Sequence, residues 1–272
     1  MNPAYPSDVT EAQWAIFAPL VPPATPGGRP RRHPDRALIN AMLYVLRGGI
    51  AWRALPREYP PWQTVYHYFR CWQRDGTWER MNAELRVTTR LRAGRSAEPS
   101  ATTLDSQSAK TTEKRGVRGW DGAKRLNGRK RHLLVDTGGL VVTACVHAAN
   151  ISDRDGARAV LTAAHTAHPG IERIWVEAGY TGSLIDWANQ ELHLTVTVTK
   201  RPRRWVRVAA DVTPPPMPTT MPVIPRRWVV ERTFAWLGRS RRLSKDSEGL
   251  AVVEEAWIYL AMTRLRIAQL AK

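Results

Sequence analysis

Acidic residues are scarce in this chain: 24 Asp and Glu stand against 41 Lys and Arg, a formal charge of +17 over 272 residues. That imbalance calls for a polyanionic partner, most simply nucleic acid, with anionic lipid as the other basic-surface reading. No apolar run approaches the roughly 18 residues of a membrane span, which counts against lipid. Cysteine is nearly missing. Cys71 and Cys145 stand alone without paired spacing, so neither a disulfide framework nor a zinc site is expected, and both read as buried free thiols of a reducing cytoplasm. The start, MNPAYPSDVTEAQW, carries acids and prolines rather than a basic end and an apolar block. It does not read as a secretion signal, and the expected location is cytoplasmic.

The chain is not short of core-forming residues: 43% are hydrophobic and 24% charged, enough for one large packed domain or two ordinary ones. Thr10 and Gln13 make a capping box before Trp14, Phe17 and Leu20. Pro22 to Pro34 is a Pro/Gly/Arg linker. Leu38, Ala41, Met42, Val45 and Leu46 repeat at helical spacing until Gly48-Gly49. Val65, Tyr68, Phe69 and Trp72 mark another helix, and a further one covers Trp78 to Leu91. Helices joined by turn-rich segments and dominated by arginine suit a helix-turn-helix module over residues 1–96. Its reading helix would be Gln63 to Arg74, offering Gln63, Tyr66, His67, Arg70 and Arg74. A plain packing or dimerisation unit is the alternative.

Past Ala93 to Ala101 the pattern turns to strands, and residues 97–272 read as an α/β catalytic domain. Thr102 to Ser106 is a short strand holding Asp105. Lys110 to Arg131 carries nine Lys/Arg against Glu113 and Asp121. It reads as a glycine-bearing loop laid along nucleic acid, with Lys110, Lys124, Arg129 and Lys130 as phosphate contacts. Thr137-Gly138-Gly139 joins two β-rich runs into a hairpin, and Asp136, the main competitor for a metal position because it also closes a strand, is assigned to that turn. Ser152 caps a helix whose Asp153 and Asp155 are explained by the first-turn preference for acids. His132 and His147 are assigned to packing. A strand leads to Glu177-Ala178-Gly179-Tyr180, then comes a helix, then the strand Leu194 to Thr199. Lys200 to Arg207 is a second basic cluster around Trp205. Thr213 to Pro225 holds six prolines and reads as an extended connector. It enters a helix where Arg227 and Glu231 lie one turn apart, and where Arg242 follows on the same stripe. In isolation that pair reads as a surface ion pair rather than a site.

Asp105, Glu177 and Glu231 sit on two strands and a helix that one sheet can bring together. Three carboxylates are hard oxygen ligation, suited to Mg2+ or Mn2+. Two such ions clamp the attacking and leaving oxygens of a phosphodiester.

Three stretches carry a resemblance: TLDSQSAKTTEKRG, WVEAGYTG and PRRWVVERTFAWLGRSRRLSKDSE. With the N-terminal DVTEAQWAIFAPLVPP, GGRPR and YVLRGGIAWRALPREYPPWQTVYHYFRCWQRDGTWER, they make the chain similar to bacterial insertion-sequence transposases of the DDE type, the group that includes the IS-four and IS-five families. The resemblance implies a ribonuclease-H-like catalytic domain, Asp105 and Glu231 as first and third acids, and Arg227 with Glu231 as the family's Arg-x-x-x-Glu signature. It implies metal-dependent cleavage of double-stranded DNA at terminal inverted repeats and strand transfer into target DNA, by at least a dimer. Two departures stand out. Glu177 occupies the place of the family's second aspartate, and Gly238 that of a lysine, for which Arg239, Arg242 or Lys245 are the nearby substitutes. A catalytically impaired DNA-binding relic or regulator is the alternative function.

Overall fold

The computed structural model describes residues 5–24, 30–112, 116–199 and 227–272. The basic cluster at 200–207 and the proline connector at 213–225 lie outside the described residues, as do positions 25–29 of the Pro22–Pro34 linker and Glu113. Four helices come first: α1 (Glu11–Phe17), α2 (Asp35–Gly48), α3 (Trp62–Arg74) and α4 (Thr77–Arg92). The Thr10–Gln13 capping box is formed, each side chain accepting from the other residue's backbone N–H. The sheet follows as β1 (Ala101–Lys110), β2 (Gly119–Asp121), β3 (Leu126–Asp136), β4 (Val141–Ala148), β5 (Arg173–Glu177) and β6 (Thr195–Thr199). Helix α5 (Asp153–Ala167) links β4 to β5, and α6 (Ser183–Leu192) links β5 to β6. Helices α7 (Trp228–Leu237) and α8 (Ala251–Leu270) complete the described elements.

The strand order is β2-β3-β1-β5-β6, with β4 paired to β3. β1, β3 and β4 are antiparallel neighbours, whereas β1, β5 and β6 run parallel. The helical crossovers α5 and α6 are what parallel neighbours require. Each sheet face buries its own apolar set. Leu104, Leu134, Val142, Ile174 and Val176 pack under α5 and α6. Leu133, Val135, Val141 and Val146 pack under α7 and α8. Gly156 lets α5 sit flush on the sheet, since a Cβ there would come within 2.3 Å of His147 Nε2 and 2.5 Å of His132 Cε1. The two imidazoles stack and bond at 2.9 Å, as packed histidines do. Burial, then His147, pushes the His132 imidazole down to about 3, which keeps it neutral. Asp136 holds its turn, accepting N–H bonds from Gly138 and Leu140 while ion-paired to Arg90. Among the described residues no helix is long and apolar enough to cross a membrane.

Three readings change. Lys110 to Arg131 is not one loop: β1 runs on to Lys110, and β2 and most of β3 fall inside the stretch. Its glycines serve strand contact, as at Gly128, where a Cβ would meet the Ala109 carbonyl oxygen at 2.0 Å. The helix-turn-helix expectation is not met by a tight turn, because everything from Gly49 to Pro61 separates α2 from α3. The short connection, Asp75-Gly76, joins α3 to α4, which lies along α8. Finally, Cys71 and Cys145 are free but only half-buried.

The apolar cluster does not stop at the expected boundary near residue 96. Phe17, Leu38, Met42, Phe69 and Trp78 from the N-terminal helices share it with Leu133, Val230, Trp257 and Ile258. Phe69 and Trp257 stack with ring centroids 4.2 Å apart.

Candidate active site

β1 and β5 are hydrogen-bonded in parallel from Ala101↔Arg173 to Thr103↔Trp175. Continuing that register sets Asp105 level with Glu177, on the same sheet face, just beyond the last paired residues. The carboxyl ends of parallel strands are where open α/β sheets place their chemistry. α7 crosses this face and supplies the third acid. Arg227 stands at its N-terminal cap, with Glu231 one turn on.

The Arg227 guanidinium is 8% exposed and bridges two acids. One nitrogen lies 2.6 Å from Glu177 Oε2 and 3.1 Å from Glu231 Oε1. The two carboxylates are 33% and 49% exposed, so they face solvent while the cation is held beneath them. Among the described residues the Arg227 Nε is buried without a partner. The i,i+4 ion pair expected from sequence is therefore present, but it reaches across to a strand end as well.

Asp105 lies deeper, 8% exposed, accepting the Ser106 N–H at 2.8 Å. Burial, then the charge of Glu177, raises its carboxyl to about 7 despite the opposing pull of Ser106 N–H and Arg227. Further positive charge beside a carboxyl so placed would favour its ionised form. The donor set is all oxygen, which fits Mg2+ or Mn2+. Among the described residues no three such side chains already converge into a cage. Arg227 lies between Glu177 and Glu231 instead.

The opposite sheet face holds partners that sequence reasoning passed over. The Ser106 hydroxyl donates to Asp153 Oδ1 at 2.9 Å, and Lys130 Nζ reaches the same oxygen at 2.9 Å. Burial works against the Asp153 charge, but Lys130 and then Ser106 outweigh it and hold the carboxyl low. Asp153 is more than a first-turn acid: it ties α5 to the residue that follows Asp105. Strand alternation was the available signal, because Ser106 must face α5 if Asp105 faces α7. The Tyr180 hydroxyl is buried in the same region, beside Ser106.

The expected DNA contacts divide. Gln63, Tyr66, His67 and Arg74 are exposed on α3 and Arg70 is half-buried, so this face is available, on the helical layer. Lys110 and Lys124 are exposed, as are Arg239 and Lys245. Arg129, Lys130 and Arg242 are corrected: all three are buried and satisfied internally. Arg129 pairs with Asp246 at 2.9 Å and donates to the carbonyls of Val117, Glu248 and Gly249. Lys130 spends its charge on Asp153 and the Ile151 carbonyl. Arg242 pairs with Glu248 and donates to the Ile50 carbonyl. Strand alternation and an acid 117 residues downstream make Arg129 internal, whereas Arg242 meets an acid six residues on. A cavity of about 210 Å³ lined by Tyr5, Phe17, Leu43 and Arg264 contains none of the three acids.

Burial gives a pH signature. Asp105 and Glu255 rise to about 7 and Glu254 to about 8, each chiefly through desolvation. Each acid holds its proton more tightly folded than unfolded. Its contribution is complete below the unfolded carboxylate range, near pH 4, and is lost as pH climbs through 7 to 8. In metal-free buffer the melting temperature should fall over that window, and Asp105→Asn should flatten the fall. An unchanged slope in that variant would remove Asp105 from the effect.

A sequence model of transposases of the IS4/5 family matches residues 9–82, and one of the transposase DDE domain matches residues 96–266. The chain belongs to the IS4/5 group of DDE transposases. The transposase is also similar to the insertion element IS402 uncharacterized 16.2 kDa protein of Burkholderia cepacia, at 33% identity over 106 residues, covering 37% of this chain and 71% of that protein. No solved structure matches the transposase. The DDE domain family carries a ribonuclease-H-like fold, acts in DNA transposition and works with divalent metal ions. The transposase sheet, with an antiparallel β4-β3-β1 half continued by parallel β5 and β6, accords with that fold.

Proposed function

We propose that this transposase binds transposon-end DNA and catalyses metal-dependent cleavage and strand transfer, with Asp105, Glu177 and Glu231 as its acids. The observation that carries the reading is the meeting of Glu177 and Glu231 on one guanidinium, with Asp105 level with Glu177 on the same sheet face. These acids would hold one or two divalent cations; bound there, such ions activate the attacking water or 3′-hydroxyl and neutralise the departing oxygen. Asp105, buried and fixed by the Ser106 N–H, gives the site its rigid corner. Glu177 and Glu231 are exposed enough to turn toward an incoming phosphate. Arg227 neutralises them while DNA is absent and is the nearest guanidinium to pair with a phosphodiester once they turn away.

The helical layer supports end binding through the exposed face of α3, with Gln63, Tyr66, His67 and Arg74 set against the apolar side that packs on Trp257. Synapsis of two ends calls for at least a dimer. The test is incubation of the full-length protein with DNA bearing the element's ends, in Mg2+ or Mn2+ and in chelator. Cleavage and joining that appear only with the metal support the reading. DNA binding without cleavage in either metal favours the impaired-relic alternative, for which Glu177 at the family's aspartate position is the specific motive. Cleavage that persists in chelator overturns the metal site.

A further inference from the structure

Trp120 is 59% exposed, an unusual place for an indole on a protein with a large core to bury it in. It lies on β2, flanked by exposed Arg118, Lys124 and Arg125. The hairpin that presents it is rigid. Asp121 accepts N–H bonds from Ala123 and Lys124 at 3.0 Å each and a bond from the Ser108 hydroxyl, which fixes the turn. Gly119 presses on the neighbouring turn so tightly that a Cβ would come within 1.9 Å of Asn150 Oδ1. Arg129 Nε holds the Val117 carbonyl at 2.7 Å.

Register gives the hairpin's relation to the site. Trp120 pairs with Asn127, and Asn127, Arg129, Arg131 and Leu133 share one face of β3. Leu133 pairs with Asp105, so Trp120 and Asp105 face the same way. Strand rise and spacing put them about 20 Å apart, roughly six base pairs along DNA.

We propose that Trp120 is a stacking platform for an unstacked base of the bound DNA, with Arg118, Lys124 and Arg125 gripping the adjoining backbone. Charge complementarity selects this occupant: three exposed cations lie within five residues of the indole, and a nucleotide offers both a π-face and a phosphate. The inference rests on the DNA-acting function proposed above and adds a contact outside the three acids and the α3 face.

The test uses full-length protein, a DNA single strand carrying 2-aminopurine, and the matching duplex, at one fixed salt concentration. Wild type and Trp120→Phe should bind the single strand and quench the probe. Trp120→Ala should bind it about five- to hundredfold more weakly, without quenching, while duplex affinity holds. Unchanged single-strand affinity and quenching in Trp120→Ala would overturn the stacking role and leave the transposase function standing. If wild type binds neither DNA, the function itself fails first. Exposed Val117, Ile151 and Leu250 on nearby segments provide the competing outcome, contact with a second copy of the chain. Loss of self-association in Trp120→Ala by sedimentation, with single-strand binding intact, would replace the proposal with that one.

Discussion

Glu231→Gln and Asp105→Asn are each expected to reduce end cleavage by about a hundredfold or more while leaving the protein folded and able to bind its ends. Neither change alters side-chain size much, so the loss would measure charge and ligation rather than packing. Displacing a reacting group by about 1 Å already costs about two orders of magnitude, and removing a ligand's charge should cost no less. Glu177 calls for a graded pair. Glu177→Ala should match the other two losses. Glu177→Asp should stay within about tenfold of wild type if the strand end can move to compensate for about 1.5 Å of missing reach. In the resting protein that reach is used to meet Arg227 at 2.6 Å. An aspartate variant well above wild type would mark this chain as an impaired copy. Full cleavage by Glu177→Ala would take Glu177 out of the site altogether. Strand cleavage on denaturing gels, alongside filter binding of the same ends, separates the outcomes.

Arg129→Ala is expected to destabilise the fold by about 3–5 kcal/mol, the usual cost of stranding one partner of a buried pair. Arg129 is 2% exposed and Asp246 fully buried, and the same guanidinium also holds the carbonyls of Val117, Glu248 and Gly249. Removing it would leave a buried carboxylate and three carbonyls without their donor. Denaturant unfolding measures the change directly. Lys124→Ala serves as the contrast: exposed on the hairpin, it should leave stability within about 0.5 kcal/mol and weaken DNA binding with a shallower salt dependence. Were Arg129→Ala as stable as wild type and simply poorer at binding DNA, the buried role would be wrong and the phosphate role right.

These contrasts show what could be read from the chain and what could not. Helix positions were legible because Leu38, Met42, Val45 and Leu46 repeat at a helical period that only burial explains, and all four are fully buried in α2. The strand end bearing Glu177 was legible, and so was a strand at Asp105, although that strand does not end there but runs on to Lys110. The fate of the basic stretch was not. Composition gives the sign of Arg129 and Lys130 but not their partners, and Asp246 lies more than a hundred residues downstream. An arginine meeting a distant acid and one meeting phosphate look identical until register fixes which face each occupies. The reach of Glu177 to Arg227 was hidden for the same reason, since it crosses from a strand to a helix separated by a long intervening segment.

The stacked Phe69 and Trp257, one from each side of the gap between the two family matches, have a consequence for how such proteins change over generations. A recognition unit that folds by itself can be exchanged between lineages like a cassette, giving an old nuclease a new address. Here the α3 helix shares its apolar interior with the last helix of the catalytic half. On the end-binding role proposed for α3, retargeting would proceed by substitutions on its outer surface. Grafting another relative's first ninety-odd residues would bring in a foreign interior together with the new specificity.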